Sequence, residues 1–265
     1  MILGVSRLPF ERHQHENLEM PNHPYLDASV AWRLKSGTME FREASYGTTV
    51  EAILSAGMAT EVERLLSSGK EADVYLARYN GAPLAVKVYR LYRTSHRGGR
   101  PVKLDSTGRL AAHEFDMLLQ AWKEGAPVPT PAKRVENMLS MRYMGTEDGP
   151  APRLQDVDLD DPHALAAKTL AGVKDLALAG VVHADLSAFN VLVHESRPWI
   201  IDLSEALRVD RLGRSPWQRL TEARSALEGG MRALGAYFSR YGVRLESGPF
   251  VEEVVRSLDR FGVLS

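Results

Sequence analysis

From Thr48 to Leu66 the apolar residues fall at Val50, Ile53 and Leu54, break at Gly57 and resume at Met58, Val62, Leu65 and Leu66. This spacing predicts two short helices, or a helix and a linker. From Ser67 the period changes to two. Val74 and Leu76, then Leu84, Val86 and Val88, lie on either side of Asn80-Gly81, and Asn-Gly between two such runs predicts an antiparallel hairpin with a two-residue turn. The segment from Arg93 to Arg109 is basic and Gly-rich and reads as a loop. Leu110, His113, Glu114, Met117, Leu118 and Ala121 recur at three and four, predicting a helix over 110–124. Pro127, Pro129 and Pro131 then forbid helix and favour an extended connection, followed by a strand over 138–144.

Gly145 to Pro152 is rich in Gly, Pro and charge and reads as a hinge. The clearest helix is 163–179, with Leu165, Thr169, Leu170, Val173 and Leu176 on one face, Pro162 near its start and Gly180 at its end. Val191 to Val193 and Trp199 to Leu203 flank Arg197-Pro198 and read as a second hairpin, turning at that dipeptide. Two amphipathic helices, 216–241 and 250–261, follow. Residues 1–45, with His13, His15, Pro21, His23 and Pro24, keep no period and read as an irregular arm. A strand-rich half is followed by a helix-rich half.

Composition narrows the chemistry. The 265 residues contain no cysteine, which excludes disulfides, thiol nucleophiles, iron–sulfur clusters and Cys-ligated zinc. No stretch approaches about 18 consecutive apolar residues and the first residues lack a signal-peptide pattern, so the expectation is a cytoplasmic chain with no membrane contact. Lys+Arg 33 against Asp+Glu 34 gives a formal charge of -1, which leaves no global footprint for nucleic acid. The length admits one large domain or two small lobes.

The polar residues that interrupt apolar runs carry the candidate chemistry. Asp185, Asn190 five residues on, and Asp202 after Ile200-Ile201 can meet around one cleft. Phosphoryl transfer uses such a set: one carboxylate to orient the attacking hydroxyl or water, and an amide and a carboxylate oxygen to hold magnesium on the phosphates. Asp185 and Asn190 taken singly are also ordinary turn and cap residues. Lys87 sits mid-strand in Ala85-Val86-Lys87-Val88, where an ammonium is costly unless paired or bound to an anion. Glu114 on the following helix is the expected partner and Glu124 a weaker one; a snorkelling edge lysine is the structural alternative. Ser67 to Tyr75 holds a single glycine, Gly69, so it is neither a G-x-G-x-x-G nor a Walker A sequence.

The strings SSGKEADVYLA, AVKVYR, HEFDMLLQAWKEGAPVPTP, MRYMG, HADLSAFNVLV and IIDLSEAL resemble, in order and spacing, the successive signatures of the RIO atypical serine/threonine protein kinases, nearest to their type-one branch. The resemblance covers roughly Thr48 to Val243 and includes ALEGGMRALGAYFSRYGV, similar to that family's closing helix. It implies an α+β, two-lobed, protein-kinase-like fold: an antiparallel N-lobe sheet with one helix, and a mainly helical C-lobe without the activation segment and substrate-docking helices. The expected divisions are an arm over 1–47, extension helices and N-lobe over 48–145, and C-lobe over 146–265.

Position by position, the resemblance implies that Ser68, Gly69, Lys70 and Val74 belong to the nucleotide-covering loop and that Lys87 meets the phosphates, fixed by Glu114. Met141, near the gatekeeper position, Tyr143 and Met144 would lie at the adenine-binding hinge. Asp185 would be the catalytic aspartate, Asn190 and Asp202 the metal ligands, and His183 a structural residue of the catalytic loop. The implied cofactors are ATP and Mg2+, with Mn2+ as a substitute.

Three departures stand out. Asp73 replaces the family's usual Asn and adds negative charge near the nucleotide; Arg142 replaces an acidic hinge residue; Gly229-Gly230 replaces an Arg-Asp pair, so that a contact in the second lobe is expected to be lost or replaced. Of 265 residues only 63 follow position 202, and no A-P-E motif occurs among them. Ser187 stands where kinases of Ser or Thr usually carry lysine. Nucleotide binding is therefore better supported than peptide phosphorylation, and the expected activity is transfer to serine, including autophosphorylation, or to water. Two other readings stay open: a small-molecule phosphotransferase of the aminoglycoside or choline kinase type, and a non-catalytic nucleotide-binding scaffold. The resemblance also suggests contact with RNA or a ribosomal subunit through the basic loop 93–109, with a solvated loop as the alternative; the protein acceptor is unknown.

Overall fold

The computed structural model describes residues 46–69, 71–89, 106–209 and 216–258. Helix α1 (Tyr46–Ser55) leads into a five-stranded antiparallel sheet of β1 (Glu61–Ser68), β2 (Ala72–Tyr79), β3 (Ala82–Tyr89), β4 (Pro131–Val135) and β5 (Met138–Arg142), in the order β1-β2-β3-β5-β4. Helix α2 (Ser106–Lys123) joins β3 to β4. The expected second helix after Gly57 is thus a strand. Val62 and Leu66 are only partly buried and Leu65 is exposed along β1, which carries two register irregularities against β2, so neither a strict two-residue nor a helical period survives in its sequence. The β2–β3 hairpin turns at Asn80-Gly81 with φ of 50° and 84°, both left-handed, as a type I′ turn requires.

The sheet has two different faces. Tyr75, Ala77, Val86 and Met138 pack with Ile53 of α1 and with Met58 and Ala59. Ala72, Tyr89 and Leu139 face Ala111 of α2. Because side chains alternate along a strand, Asp73 lies on the α1 side with Tyr75, whereas Lys87 and Tyr89 share the α2 side. The far end of α2 belongs to another core: Met117, Leu118 and Ala121 pack with Val173, Leu176, Val181, Leu234 and Phe238 of the C-terminal half. One helix thereby ties the sheet to the helical part.

That part is built on α3 (Pro162–Leu178), α4 (Pro216–Ser239) and α5 (Ser247–Ser257). Asp161 caps α3, its carboxylate accepting from Ala164 N–H at 2.9 Å, with Pro162 in the first turn and Gly180 at φ 80° beyond the end. Two short antiparallel pairs complete it, β6 (Val181–Val182) with β9 (Leu207–Arg208), and β7 (Val191–His194) with β8 (Arg197–Ile200). The second hairpin does not turn at Arg197-Pro198. Glu195 and Ser196, at φ 53° and 56°, make the turn, and Pro198 pairs with Val193 inside the strand. Among the described residues no helix is long and apolar enough to cross a membrane. Residues 1–45 of the arm, Lys70 and residues 93–105 of the basic segment lie outside the described residues; Tyr46 and Gly47, expected in the arm, open α1, and 106–109 open α2.

Candidate active site

The sheet and the helical part enclose a cleft of about 730 Å3. Its roof comes from the β1–β2 turn and the inward face of β2 and β3, through Gly69, Glu71, Val74 and Lys87; its floor comes from Asn190, Leu192, Ile201 and Asp202. The wall behind is the end of β5 and the residues after it, where Met141, Arg142, Tyr143 and Met144 all line the cavity. Gly69 N–H donates to Ala72 O at 2.9 Å, closing the turn, and a Cβ there would stand 3.2 Å from the same oxygen. This is the close approach that favours glycine.

Gly69, Val74, Lys87, Glu114, Met141, Tyr143, Met144, Asn190 and Asp202, all expected from sequence, line this cleft, while Asp185 does not line it and sits on the loop beside Asn190. Two further residues differ from expectation. Ser67 rather than Ser68 lines the cleft; Ser68, pairing with Asp73, is exposed. Asp73 does not add charge there, since the alternation of β2 turns it to the α1 side while Ala72 and Val74 face the cleft.

Lys87 is 8% exposed and Glu114 2%. The ammonium Nζ donates to Glu114 Oε1 at 2.9 Å and to Asp202 Oδ1 at 2.8 Å. Burial pushes the Lys87 pKa down, but the Glu114 and Asp202 carboxylates outweigh it and hold the group above its ordinary value. Tyr89 OH donates to Glu114 Oε2, and burial, with Glu114 next, drives its pKa up, so it stays a protonated donor. Sequence reasoning passed over Tyr89, although two residues beyond Lys87 on one strand means the same face. Glu124 lies past the end of α2, exposed, and takes no part.

Asp202 follows β8 at φ 62°, a left-handed conformation that Asp tolerates better than most residues. Burial raises its pKa, yet Lys87 and the Ser204 hydroxyl, which donates to Oδ1 at 2.9 Å, bring it below the usual carboxylate value. Asn190 closes the short helical turn Ala188–Asn190; its Nδ2 donates to Asp185 O at 2.7 Å, leaving the amide oxygen as its acceptor for other groups. The Asp185 side chain is exposed beside it. His183 is buried at 3% and positions this loop: Nε2–H donates to Ile201 O at 3.0 Å, and Nδ1 accepts from Asp185 N–H at 3.2 Å. Burial lowers its pKa, keeping the ring neutral in that tautomer.

The departures find structural partners. The Arg142 guanidinium lies 6.0 Å from the Trp199 ring centroid, linking the end of β5 to the β7–β8 hairpin. Helix α4 runs unbroken through Gly229-Gly230, and a Cβ at position 230 would stand 2.9 Å from Leu186 Cβ, next to Asp185. The contact is replaced by close packing that only glycine permits.

Asn190 and Asp202 offer an amide and a carboxylate oxygen on one wall, hard donors that suit a magnesium ion. Among the described residues no group of three or more His, Cys, Asp and Glu is placed to hold a metal by itself. Two protein oxygens fit an ion that also takes oxygens from phosphates and water.

Comparison with known proteins agrees with this geometry. A family model of the RIO domain matches residues 73–247. The RIO-type serine/threonine-protein kinase Rio1 of Thermoplasma acidophilum is 35% identical over 97 residues, 37% of this chain and 50% of that protein. The Haloferax volcanii Rio1 is 30% identical over 154 residues, 53% of each chain. The human serine/threonine-protein kinase RIO1 is 31% identical over 179 residues, 60% of this chain and 31% of that protein. The matches span about half the length of the two archaeal relatives. Among solved structures, the Rio2 kinase–ADP/Mg2+–phosphoaspartate complex of Chaetomium thermophilum superposes with a TM-score of 0.63 at 22% identity, covering 86% of this chain and 74% of that one. The fold is that of the RIO kinases, and the chain belongs to the RIO domain family.

Proposed function

We propose that the cleft binds ATP with Mg2+ and that the protein transfers the γ-phosphoryl group to a serine hydroxyl, its own included, or to water. The observation that carries this reading is the placement of Lys87 between Glu114 and Asp202, with Asp185 and Asn190 on the adjoining loop. An ammonium takes three hydrogen bonds. Two go to the carboxylates, and the third N–H is left for a phosphate oxygen. Gly69 and Val74 cover the nucleotide, with Lys70 assigned by sequence to the same loop, and Met141 to Met144 border the adenine. Asn190 and Asp202 would hold the magnesium, which supplies positive charge to the phosphates; Mn2+ offers the same coordination.

Asp185, exposed beside Asn190, orients the attacking hydroxyl. The oxygen of serine or water forms its bond to the γ-phosphorus as the bond to the bridging oxygen breaks; ADP leaves with that electron pair, and the hydroxyl proton passes to Asp185. Family relatives named as serine/threonine kinases support a serine acceptor. The related Rio2 complex with ADP and Mg2+ supports a nucleotide and a magnesium ion in this cleft.

The test is to follow radiolabelled ATP with Mg2+ in wild type, Asp185→Ala and Asp202→Ala, measuring label on protein, as free phosphate and on small alcohols and amines. Label on protein serine or as phosphate in wild type only is expected; label confined to small molecules would identify a small-molecule phosphotransferase instead. We assign the basic segment 93–109 to contact with RNA in a cytoplasmic setting, on the strength of its clustered Arg and Lys. Association with ribosomal subunits that weakens steeply with salt is the expected result, and a salt-independent association would overturn it.

A further inference from the structure

Asp202 presents its two carboxylate oxygens unequally, and Ser204, to which no role was assigned from sequence, causes the asymmetry. Oδ1 accepts from Lys87 Nζ at 2.8 Å and from Ser204 Oγ at 2.9 Å. Each carboxylate oxygen has about two in-plane acceptor positions, so these two donors fill Oδ1. Among the described residues no hydrogen bond reaches Oδ2, and the Asp202 side chain, 43% exposed, lines the cleft. Because the third N–H of Lys87 remains for a phosphate, nucleotide binding leaves both bonds to Oδ1 in place. Ser204 itself is 8% exposed and lies two residues beyond Asp202, whose backbone at φ 62° starts the turn that returns the hydroxyl to the carboxylate.

We infer that Ser204 is a positioning residue that restricts Asp202 to one-oxygen coordination and thereby selects Mg2+ over Ca2+ in the nucleotide complex. The chemistry is a matter of ligand geometry. Mg2+ demands six single oxygens in a near-ideal octahedron, whereas Ca2+ accepts a carboxylate through both oxygens and higher coordination numbers. With Oδ1 occupied, Asp202 can offer a metal only Oδ2. Removing the Ser204 hydroxyl opens a position on Oδ1 beside it and admits the two-oxygen mode that Ca2+ uses. This inference rests on the metal–nucleotide reading of the cleft.

The test is calorimetric titration of the full chain with a non-hydrolysable ATP analogue in Mg2+ or in Ca2+, for wild type, Ser204→Ala, Ser204→Thr and Ser204→Val. Thr and Val share a shape and differ in the hydroxyl, so that pair reports even if the alanine variant does not fold. The ratio of Ca2+-supported to Mg2+-supported affinity is expected to rise roughly tenfold in Ser204→Ala and Ser204→Val, the scale of one hydrogen bond to a charged group, and to stay at the wild-type value in Ser204→Thr. An unchanged ratio in folded Ser204→Ala or Ser204→Val overturns the role of Ser204 alone. Analogue binding by the wild type that is indifferent to both metals overturns the metal–nucleotide reading, and this inference with it.

Discussion

Lys87 Nζ on β3 lies 2.8 Å from Asp202 Oδ1 beyond β8, an ion pair that spans the cleft between the sheet and the helical part. On its other side Lys87 holds Glu114 at 2.9 Å, inside the protein. The three charges connect β3, α2 and the loop after β8 through one ammonium, so positioning of the phosphate-binding group and stability of the N-terminal half depend on the same side chain.

Replacing Lys87 by Met removes the cation that compensates a nearly inaccessible Glu114 carboxylate. A loss of about 3–5 kcal/mol is expected, the scale of breaking a buried pair from one side. Urea denaturation measures it. Adding Glu114→Gln to Lys87→Met should recover most of that loss while leaving the protein unable to bind ATP. A cost for Lys87→Met below about 1 kcal/mol would show that Glu114 does not depend on Lys87.

The two adjacent glycines of α4 should respond oppositely to alanine. At Gly229 the nearest atom to an added Cβ is the Arg232 guanidinium at 3.9 Å, so Gly229→Ala should stabilise the protein by about 0.5–1 kcal/mol through helix propensity. At Gly230 the Cβ meets Leu186 Cβ at 2.9 Å. Crowding of about 1–3 kcal/mol there offsets the propensity gain, and displacement of Leu186 should lower the phosphoryl-transfer rate through neighbouring Asp185. Thermal melts and single-turnover rates on both variants decide the matter, and equal behaviour would argue against the packing role of Gly230.

His183 gives the fold a pH dependence whose sign follows from its burial. Burial lowers the folded pKa below the ordinary 6.5, so the unfolded chain takes up a proton at a pH where the folded ring stays neutral. The contribution is complete above about 6.5 and is lost as pH falls from there through the lower folded value. Wild-type thermal stability should therefore drop between pH 7.5 and 5.5. His183→Gln should be less stable at pH 7.5 yet show a shallower drop over that interval. An equal drop would mean that other groups set the dependence.

What sequence revealed and what it concealed have physical reasons. The Asn80-Gly81 hairpin was legible because both turn residues need left-handed backbone and their types announce it; Glu195-Ser196 makes a similar turn without such types, and Arg197-Pro198 drew attention instead. Helix α3 was legible from its period, its leading proline and its closing glycine. Strand β1 was not, because its apolar residues are partly buried or, at Leu65, exposed, and its register slips against β2. In the site, Lys87, Glu114, Asn190 and Asp202 were recoverable from motif order, and the geometry brings them together. Asp73 was misplaced for want of an alternation argument. Ser204 and Gly230 lie within the recognised strings, but their roles come from contacts with Asp202 and with Leu186 that exist only in the fold.

The most direct measurement separates binding from chemistry at one residue. Asp185→Asn keeps the size of the side chain, and the wild-type Asp185 carboxylate accepts no bond from Lys87, which is paired with Glu114 and Asp202. The dissociation constant for a non-hydrolysable ATP analogue with Mg2+ and the single-turnover rate of γ-phosphoryl transfer from ATP should be measured side by side on wild type and variant. Affinity within about threefold of wild type with a rate lowered by roughly 10²–10⁴ is the expected result, the range for loss of a general base. Equal transfer rates in the two proteins would contradict a catalytic role for Asp185 and, with it, the proposed phosphotransferase.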